Sequence, residues 1–453
     1  MNNHSHSTNL SKDVSRRIFI RRSSLAMAGA AAVVHFPQVI TSHAAPDDPI
    51  RVGVIGCGGR GTGAALNVLR AATKVVYPDK GYHTEDAVGG PVEAKNVTIV
   101  ALADLFPDRL ASCRSNLKKV GINLADDHCF TGFEAYKQLL ALPDVNYIIH
   151  ATPPHFRPRH VKAAIEAGKH VFLEKPAAVD GPGVQILFEA GELAQQKGLG
   201  IVAGTQRRHQ GNYVETIKRI QEGAIGELMT GLAYWNGGEI WVVERQPGWS
   251  DMEWQCRNWN YFTWLGGDCI VEQHLHSIDV INWVMNAHPV KATSLGGRQV
   301  RVDPIYGNVY DHFATEFEYE DGRRMFSQCR QINNCTNNVS ELVVGTQGNA
   351  NCAGQIYPKG GSEWRYSKKY LNPYEQEHLD LINSIREGKP LNEAKAIAES
   401  TLTAIMGRVS AYTGQTVTWD QVLNSKEDLS PAKYEFGSLP FAPVAMPGKT
   451  KFA

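Results

Sequence analysis

Short apolar runs alternate with segments of helical period along the first half of the chain, and this alternation is typical of a parallel α/β sheet. Arg51–Ile55 is an apolar run suited to a buried strand, and a helical pattern follows it over residues 62–72. Further strand and helix patterns follow in residues 96–104, 146–156, 158–176 and 184–208. We therefore predict a doubly wound parallel sheet, in which ligands lie beyond the carboxyl ends of the strands.

The second half of the chain has a different pattern, which begins near Gln210. Apolar and polar residues alternate in Asp311–Gly322 and in Arg323–Ile332, and an Asp-Gly pair joins the two runs as in a hairpin. Two long helical patterns follow, at residues 375–389 and 393–414. The predicted fold class is α/β overall, with a C-terminal α+β domain that contains a large open, mainly antiparallel sheet.

Composition and charge narrow the range of partners. The 453 residues are 43% hydrophobic and 20% charged, which is enough to form two domains with hydrophobic cores. Lys plus Arg and Asp plus Glu both number 46, and no long basic run follows the first 25 residues. These features argue against a nucleic-acid partner. No later stretch approaches the roughly 20 continuous apolar residues of a spanning helix, so we expect no permanent membrane anchor.

The N-terminus has the order of an export signal. Arg16 and Arg17 precede an apolar run, Leu25–Val34, and small residues stand at Ser42 and Ala44. This order predicts a twin-arginine signal peptide over residues 1–44, cleaved after Ala44. The translocase would then be a transient partner, and the mature protein would be periplasmic or otherwise extracytoplasmic.

The eight cysteines form no C-x-x-C pair. An even number in an exported protein could form disulfides, whereas scattered buried thiols are the alternative. The twin-arginine route carries folded proteins, and a chain folded in the reducing cytoplasm would keep most of its thiols free. The signal therefore favours scattered thiols.

The loop after the first strand carries glycines at the spacing of a dinucleotide-binding turn. Gly56, Gly58 and Gly61 follow a strand and open a helix, with Gly59 and Arg60 inside the same loop. The first glycine permits the tight bend, the second lets a pyrophosphate approach the backbone, and the third allows close packing of helix on strand. Unpaired N–H groups at the helix N-terminus then face the phosphates. We predict that these five residues bind NAD(P) in a Rossmann domain.

The second strand ends in an acid, Asp104, which can accept hydrogen bonds from the adenosine ribose. The same carboxylate would repel a 2′-phosphate, so NAD is favoured and NADP is left open. The fingerprint places the acid about 20 residues after the glycines, whereas here Lys74–Lys95 intervenes. We interpret this polar stretch as a surface insertion.

Three further segments carry a resemblance to a known family. They are "ATPPHF" at Ala151–Phe156 followed by "EKP" at Glu174–Pro176, "TQRRH" at Thr205–His209, and "GGDCIVEQHLHSIDVINW" at Gly266–Trp283. With these segments the chain resembles the glucose–fructose oxidoreductase, inositol dehydrogenase and MocA (Gfo/Idh/MocA) family over nearly its whole length after the signal.

The resemblance implies a Rossmann domain over residues 45–205 and a substrate-binding and oligomerisation domain over residues 206–453. It also implies a homodimer or homotetramer, since the family's open sheet commonly forms the subunit interface. The residues expected at the cofactor beyond the glycine turn and Asp104 are Thr152, Pro153, His155, Glu174, Lys175 and Gln206.

Lys175, His276 and Glu272 are the predicted catalytic residues. A cation near the reacting oxygen stabilises a developing alkoxide, which suits Lys175, and an imidazole suits proton transfer by His276. If Glu272–Asp279 is helical, Glu272 and His276 lie four residues apart on one face. The family's usual Asp falls on Glu272, and His274 is an additional histidine that we expect to be structural.

A metal site is not expected, because "EQHLH" (Glu272–His276) lacks the i, i+4 histidine pair of a zinc helix.

The stretch Trp235–Gly267 holds six of the nine tryptophans, together with Arg245 and Arg257. Aromatic faces pack against sugar C–H groups, but tryptophans can also fix a long loop to the core. We expect both roles here.

Two functions fit these features. The first is an NAD(P)-dependent oxidoreductase that acts on a secondary alcohol of a sugar or polyol and retains its cofactor, because the nucleotide pool is cytoplasmic. The second is a redox-neutral glycosidase or epimerase that forms a transient keto-sugar. A carbohydrate-binding protein with a degenerate site is disfavoured by Glu174–Pro176 and His276.

Overall fold

The computed structural model describes residues 48–76 and 84–452, and the predicted signal peptide over residues 1–44 lies outside them. The strands are β1 (Ile50–Ile55), β2 (Thr73–Val76), β3 (Thr84–Ala87), β4 (Val97–Asp104), β5 (Cys129–Thr131), β6 (Tyr147–His150), β7 (His170–Leu173), β8 (Ile201–Ala203), β9 (Leu228–Gly237), β10 (Pro289–Gly297), β11 (His312–Tyr319), β12 (Arg324–Gln331), β13 (Asn338–Gly345), β14 (Gly348–Ala350), β15 (Gln355–Pro358), β16 (Trp364–Arg365) and β17 (Val417–Thr418).

The helices are α1 (Gly59–Val68), α2 (Pro107–Lys119), α3 (Ala135–Leu140), α4 (Arg157–Glu166), α5 (Gly181–Lys197), α6 (Gly211–Gln221), α7 (Asp251–Arg257), α8 (Thr263–Gly266), α9 (Cys269–Glu272), α10 (Leu275–Met285), α11 (Pro373–Arg386), α12 (Ala394–Thr413) and α13 (Trp419–Leu423). The predicted alternation of strands and helices in the first half, and the hairpin and two long helices in the second half, are confirmed.

The first sheet is parallel and has the strand order β5-β4-β1-β6-β7-β8. Its central strands are apolar and buried on both faces, as in β6, where all four residues are buried. Residues at or next to the ends of five strands lie in register across the sheet: Ile55, Ala103, His150, Leu173 and Ala203. The residues that follow these strands therefore emerge together at one edge, as the doubly wound fold predicts.

The insertion between α1 and β4 is not the simple surface loop that we expected. Strands β2 and β3 pair as an antiparallel hairpin within it. Thr84 and Glu85 of this hairpin are buried, at 5% and 2% exposure. The polar composition misled the prediction, because the buried polar groups satisfy their hydrogen bonds against α1 and the hairpin itself.

The second sheet has nine strands in the order β16-β15-β14-β13-β9-β12-β11-β10-β17. It is mixed, because β9 runs parallel to β12, but its other pairings are antiparallel. Buried and more exposed residues alternate along β11 and β12, so that one face of the sheet packs on helices. The predicted large, mainly antiparallel sheet is therefore confirmed.

The two sheets share one hydrophobic core. The same cluster of buried residues includes Leu173 and Ala194 from the first sheet and its helices, and Ile270, Ile397 and Ile405 from the second part of the chain. Helix α12 lies between them, because it contacts both α5 and β10. Helix α11 packs against α1 and β8 of the first sheet, although it follows β16 in the chain.

A C-terminal segment, residues 429–448, lies along both parts of the molecule and was not predicted. The Leu429 N–H donates to Asp180 at 3.1 Å, and the Tyr310 hydroxyl donates to the Ala445 carbonyl at 2.9 Å. Between these points the rings of Tyr434 and Phe436 pack against the first part of the chain. The segment therefore joins the two sheets from outside.

Within residues 48–76 and 84–452, no helix has the length and apolar character to cross a bilayer. The same residues contain no cluster of three or more His, Cys, Asp or Glu side chains arranged to hold a metal ion. All eight cysteines are free thiols, and Cys335 is exposed.

Candidate active site

One cavity of about 720 Å³ lies at the carboxyl edge of the first sheet. Its size falls within the usual range of small-molecule sites. The glycine turn and the residues after β4, β6, β7 and β8 form one wall, and the tryptophan-rich segment with α9 and α10 forms the other. The cavity brings together these predicted site residues: Gly56, Gly58, Gly59, Arg60, Asp104, Thr152, Pro153, Glu174, Lys175, Gln206, Glu272 and His276.

The three glycines of the turn differ in what a Cβ at each position would contact. Gly56 has φ +95°, and a Cβ on it would lie 2.6 Å from the Ala151 carbonyl carbon. A Cβ on Gly61 would lie 1.7 Å from the Gly56 oxygen, so Gly61 lies beneath the turn and not on the cavity wall. A Cβ on Gly58 would meet no atom within 4 Å. Only Gly58 therefore leaves space on the side where a ligand would approach.

The N-terminus of α1 fits a phosphate. Gly58 is the N-cap residue, and it has no side chain that could cap the first N–H groups. Such groups carry the positive end of the helix dipole. The open space at Gly58 and the uncapped helix end thus match the shape and charge of a pyrophosphate.

Asp104 fixes the glycine turn to the end of β4. Its carboxylate accepts hydrogen bonds from the backbone N–H groups of Cys57, at 2.6 Å, and Phe106, at 2.8 Å. Burial raises its pKa above the ordinary value, although these hydrogen bonds oppose the shift. The carboxylate also lies on the cavity wall, where a ribose hydroxyl could donate to it.

Lys175 and Glu272 form a buried ion pair between the two parts of the chain. The Lys175 Nζ donates to Glu272 Oε1 at 2.9 Å and to the Glu272 carbonyl oxygen at 2.6 Å. The side chains are 13% and 5% exposed, respectively. The ammonium is thus held at a fixed position on the cavity wall, with one of its three N–H groups left for another acceptor.

His276 lines the same cavity beside this pair. Burial, followed by the positive charges of Lys175 and Arg207, lowers the pKa of His276 well below its ordinary value. Among the described residues its Nδ1 has no hydrogen-bond partner, and its ring stacks on Trp235 at 5.7 Å between centroids. A neutral imidazole with an unpaired nitrogen can accept a proton from a substrate hydroxyl.

The continuous helix expected over Glu272–Asp279 is interrupted. Helix α9 ends at Glu272 and α10 begins at Leu275, because the His274 N–H bonds back to the Cys269 carbonyl. Glu272 and His276 nevertheless reach the same cavity. His274 points away and its Nε2 bonds the Ser327 hydroxyl at 2.6 Å.

His155, a predicted cofactor residue, does not lie on the cavity wall. Its Nε2 contacts the Tyr434 hydroxyl at 2.8 Å and its ring meets that of Trp264 edge to face. Phe156 takes the place on the wall instead. A histidine next to Pro-Pro was a reasonable ligand candidate, but the aromatic partner comes from the C-terminal segment, which no local pattern reveals.

The six tryptophans serve both expected roles, and Trp259 serves both at once. Trp235, Trp241 and Trp259 line the cavity. Trp249, Trp254 and Trp264 pack in a hydrophobic cluster beside it. Arg257 also lines the cavity, whereas Arg245 pairs with Asp251 at 2.8 Å.

Two residues on the cavity wall were missed by sequence reasoning. Arg157 donates to the carbonyl oxygens of Thr152 at 2.8 Å and Pro176 at 2.6 Å, so it holds two wall segments together. Its position at the helix start after "ATPPHF" was the available signal. Tyr374 reaches the cavity from α11, with the Arg60 guanidinium 4.8 Å above its ring, and its distance along the chain gave no signal.

Comparison with known proteins agrees with this architecture. A family model described as "Oxidoreductase family, NAD-binding Rossmann fold" matches residues 50–205, and a second, the "GFO/IDH/MocA C-terminal domain", matches residues 213–351.

The chain is 25% identical over 203 residues to 2,7-anhydro-N-acetylneuraminate hydratase of Escherichia coli (strain K12), covering 45% of this chain and 50% of that protein. It is 25% identical over 192 residues to inositol 2-dehydrogenase/D-chiro-inositol 3-dehydrogenase of Lactiplantibacillus plantarum, covering 42% and 46%. The chain spans about half the length of these curated relatives.

The solved structure of scyllo-inositol dehydrogenase from Lactobacillus casei, with bound NAD(H) and scyllo-inositol, is similar with a TM-score of 0.60 and 17% identity. The match covers 82% of this chain and 99% of that one. At this identity the likeness shows the fold.

Proposed function

This chain belongs to the Gfo/Idh/MocA oxidoreductase family, and from that premise we propose that it oxidises a secondary alcohol of a sugar or polyol with NAD. The observation that carries the proposal is the meeting of Lys175, Glu272 and His276 in the cavity bounded by the glycine turn. Inositol dehydrogenases among its relatives act on a substrate of this class.

NAD fits the residues present. Gly58, Gly59 and Arg60 would hold its pyrophosphate, and Asp104 would receive a ribose hydroxyl. When bound, its nicotinamide supplies the acceptor or donor of hydride.

The protein's own residues handle the proton and the charge. The Lys175 ammonium stabilises negative charge on the substrate oxygen, and Glu272 keeps that ammonium in place through the ion pair. Neutral His276 accepts the hydroxyl proton and returns it in the reverse direction. Trp235, Trp241 and Trp259 present aromatic faces to the substrate carbons.

Export and retention form part of the proposal. The twin-arginine signal over residues 1–44 would deliver a folded protein to the periplasm, where no nucleotide pool exists. The protein would therefore carry NAD(H) with it and regenerate it within each catalytic cycle, by oxidising one compound and reducing another. We further propose a homodimer or homotetramer.

The test uses mature protein from the periplasmic fraction, with its N-terminus and mass in solution determined on the same sample. After dialysis, mass spectrometry should find NAD(H) near one per chain. Addition of myo-inositol or D-glucose, as representative polyol and aldose, should change the absorbance of the bound nucleotide at 340 nm. A dialysed protein that holds no nucleotide and takes up none when NAD is added would refute the proposal.

A redox-neutral glycosidase or epimerase is the second candidate. One relative is a hydratase by name, and the same cavity is lined by His276, whose pKa is lowered by burial, and by the carboxylate Glu272. Release of free sugar from a nitrophenyl glycoside, without any added acceptor, would favour this candidate over the oxidoreductase.

The lowered pKa of His276 predicts how kcat/KM depends on pH. Because its folded-state pKa lies below the ordinary 6.5, the ring stays neutral as pH falls through that value, so the proton acceptor is preserved. The acid limb of kcat/KM should therefore lie below pH 6.5. His276→Gln should lower the rate by about 10²–10⁴-fold. An acid limb at pH 6.5 that disappears in His276→Gln would contradict the prediction.

A further inference from the structure

The β2–β3 hairpin forms part of the cavity wall, although it belongs to neither sheet. Val76, Thr84, Glu85 and Asp86 line the same cavity as the glycine turn. The hairpin replaces the short connection that a dinucleotide-binding unit needs between its first helix and second strand. The hairpin therefore lies where it can act on a nucleotide that is bound at the glycine turn.

Glu85 anchors the hairpin to α1. The carboxylate is 2% exposed, and its Oε2 accepts hydrogen bonds from Asn67 Nδ2 at 2.9 Å and Thr73 Oγ1 at 2.6 Å. The backbone of the hairpin is also held from α2, because the Ala87 N–H donates to Asn116 Oδ1 at 3.2 Å. A buried carboxylate needs such partners to offset its desolvation.

Asn67 connects Glu85 of the hairpin to Arg60 of the glycine turn. Its Oδ1 accepts from Arg60 Nη2 at 3.2 Å, while Arg60 Nε donates to Glu174 Oε1 at 2.7 Å. The absence of a side chain on Gly63 makes room for the arrangement, since a Cβ there would lie 3.2 Å from Arg60 Nη1. The Arg60 guanidinium is thus fixed from two sides beside the N-terminus of α1.

Arg60 retains a donor nitrogen that the protein leaves without a partner. Among the described residues its Nη1 is buried without a hydrogen-bond partner, which a protein rarely tolerates. Arg60 is one of the residues that line the cavity, in the loop that suits a pyrophosphate. An anionic oxygen of a bound dinucleotide would satisfy it.

We propose that the β2–β3 hairpin is a cofactor-retention element, which acts through Glu85 and Asn67 to hold Arg60 against the phosphates of NAD(H). The proposal rests on the proposed function, and it adds the residues that make release slow. Glu85, Asn67 and Thr73 are positioning residues, whereas Arg60 contacts the nucleotide.

The test measures the release of NADH from the full mature protein, by the loss of its fluorescence after excess unlabelled NAD is added. Glu85→Leu and Asn67→Leu should each accelerate release at least about tenfold. Glu85→Gln keeps an acceptor oxygen for Asn67 and Thr73 and should restore release to within about threefold of the wild type. Thr73→Val removes one of the two bonds and provides a milder variant that should still fold, with about threefold faster release.

Val75→Thr is the matched control, because Val75 is an exposed residue of the same hairpin at 48% exposure and should leave release unchanged. If Glu85 and Asn67 had only a structural role, Glu85→Leu and Asn67→Leu would lower the melting temperature but would leave the rate of NADH release unchanged. Release within twofold of the wild type in Glu85→Leu, Asn67→Leu and Thr73→Val overturns the proposal while leaving the proposed function intact. Failure of the wild type to bind NADH at all would overturn both.

Discussion

Lys175→Met should reduce hydride transfer by about 10³-fold while the protein still folds and still binds NAD(H). Methionine keeps an unbranched side chain that is one atom shorter and removes the positive charge that faces the substrate oxygen. The loss is large because the ammonium is fixed by two hydrogen bonds to Glu272, at 2.6 and 2.9 Å, so that little reorganisation is needed during the reaction. The rate is measured as a single turnover of the bound nucleotide at 340 nm, with myo-inositol and D-glucose as probes.

Lys162→Met is the control for this variant. Lys162 is a surface lysine that pairs with Glu189 at 2.7 Å and does not line the cavity, so its replacement should leave the rate unchanged. Removal of the Lys175 charge should also leave Glu272 buried without its partner, which lowers stability. A Lys175→Met protein with full nucleotide content and a rate within tenfold of the wild type would show that Lys175 does not take part in the reaction.

Gly58→Val should abolish nucleotide binding without unfolding the protein. Gly58 has φ −69°, which any residue can adopt, and a Cβ there would meet none of the described protein atoms within 4 Å. Its methyl groups would instead fill the space in which the pyrophosphate approaches the backbone. We expect at least a 100-fold weaker affinity for NADH by fluorescence titration, with a melting temperature in the absence of nucleotide within about 2 °C of the wild type.

Gly61→Ala is the comparison variant, because it should affect folding, whereas Gly58→Val should affect nucleotide binding. Its Cβ would lie 1.7 Å from the Gly56 oxygen, so the helix would have to move away from the strand. This variant should lose stability even without nucleotide, in contrast to Gly58→Val. Unchanged NADH affinity in Gly58→Val would mean that the nucleotide does not lie on the glycine turn.

Features that depend on local sequence were predictable. The glycine turn, the acid at the end of β4 and the lysine before Pro176 each follow a strand, and the register of the parallel sheet brings strand ends together. Gly58, Asp104 and Lys175 therefore reach one cavity as expected. The family resemblance added Glu272 and His276, which belong to a different part of the chain.

Features that depend on contacts between distant segments were not predictable. Tyr374 reaches the cavity because α11 packs on α1, and His155 lies off the cavity wall, where it contacts Tyr434. The burial of Glu85 also has no local signature, since a carboxylate in a polar stretch usually faces solvent. The helix break after Glu272 arises from one hydrogen bond of His274, which periodicity cannot detect.

The C-terminal segment has a consequence for synthesis of the chain on the ribosome. It packs on the aromatic rings of Phe106, Phe133 and Phe156, which lie in the first part of the molecule. More than 200 residues separate the end of β8 from this segment, which corresponds to roughly 10–40 s of translation. During that interval the nascent first sheet carries an uncovered aromatic surface, so the growing polypeptide should depend on chaperones until the segment emerges.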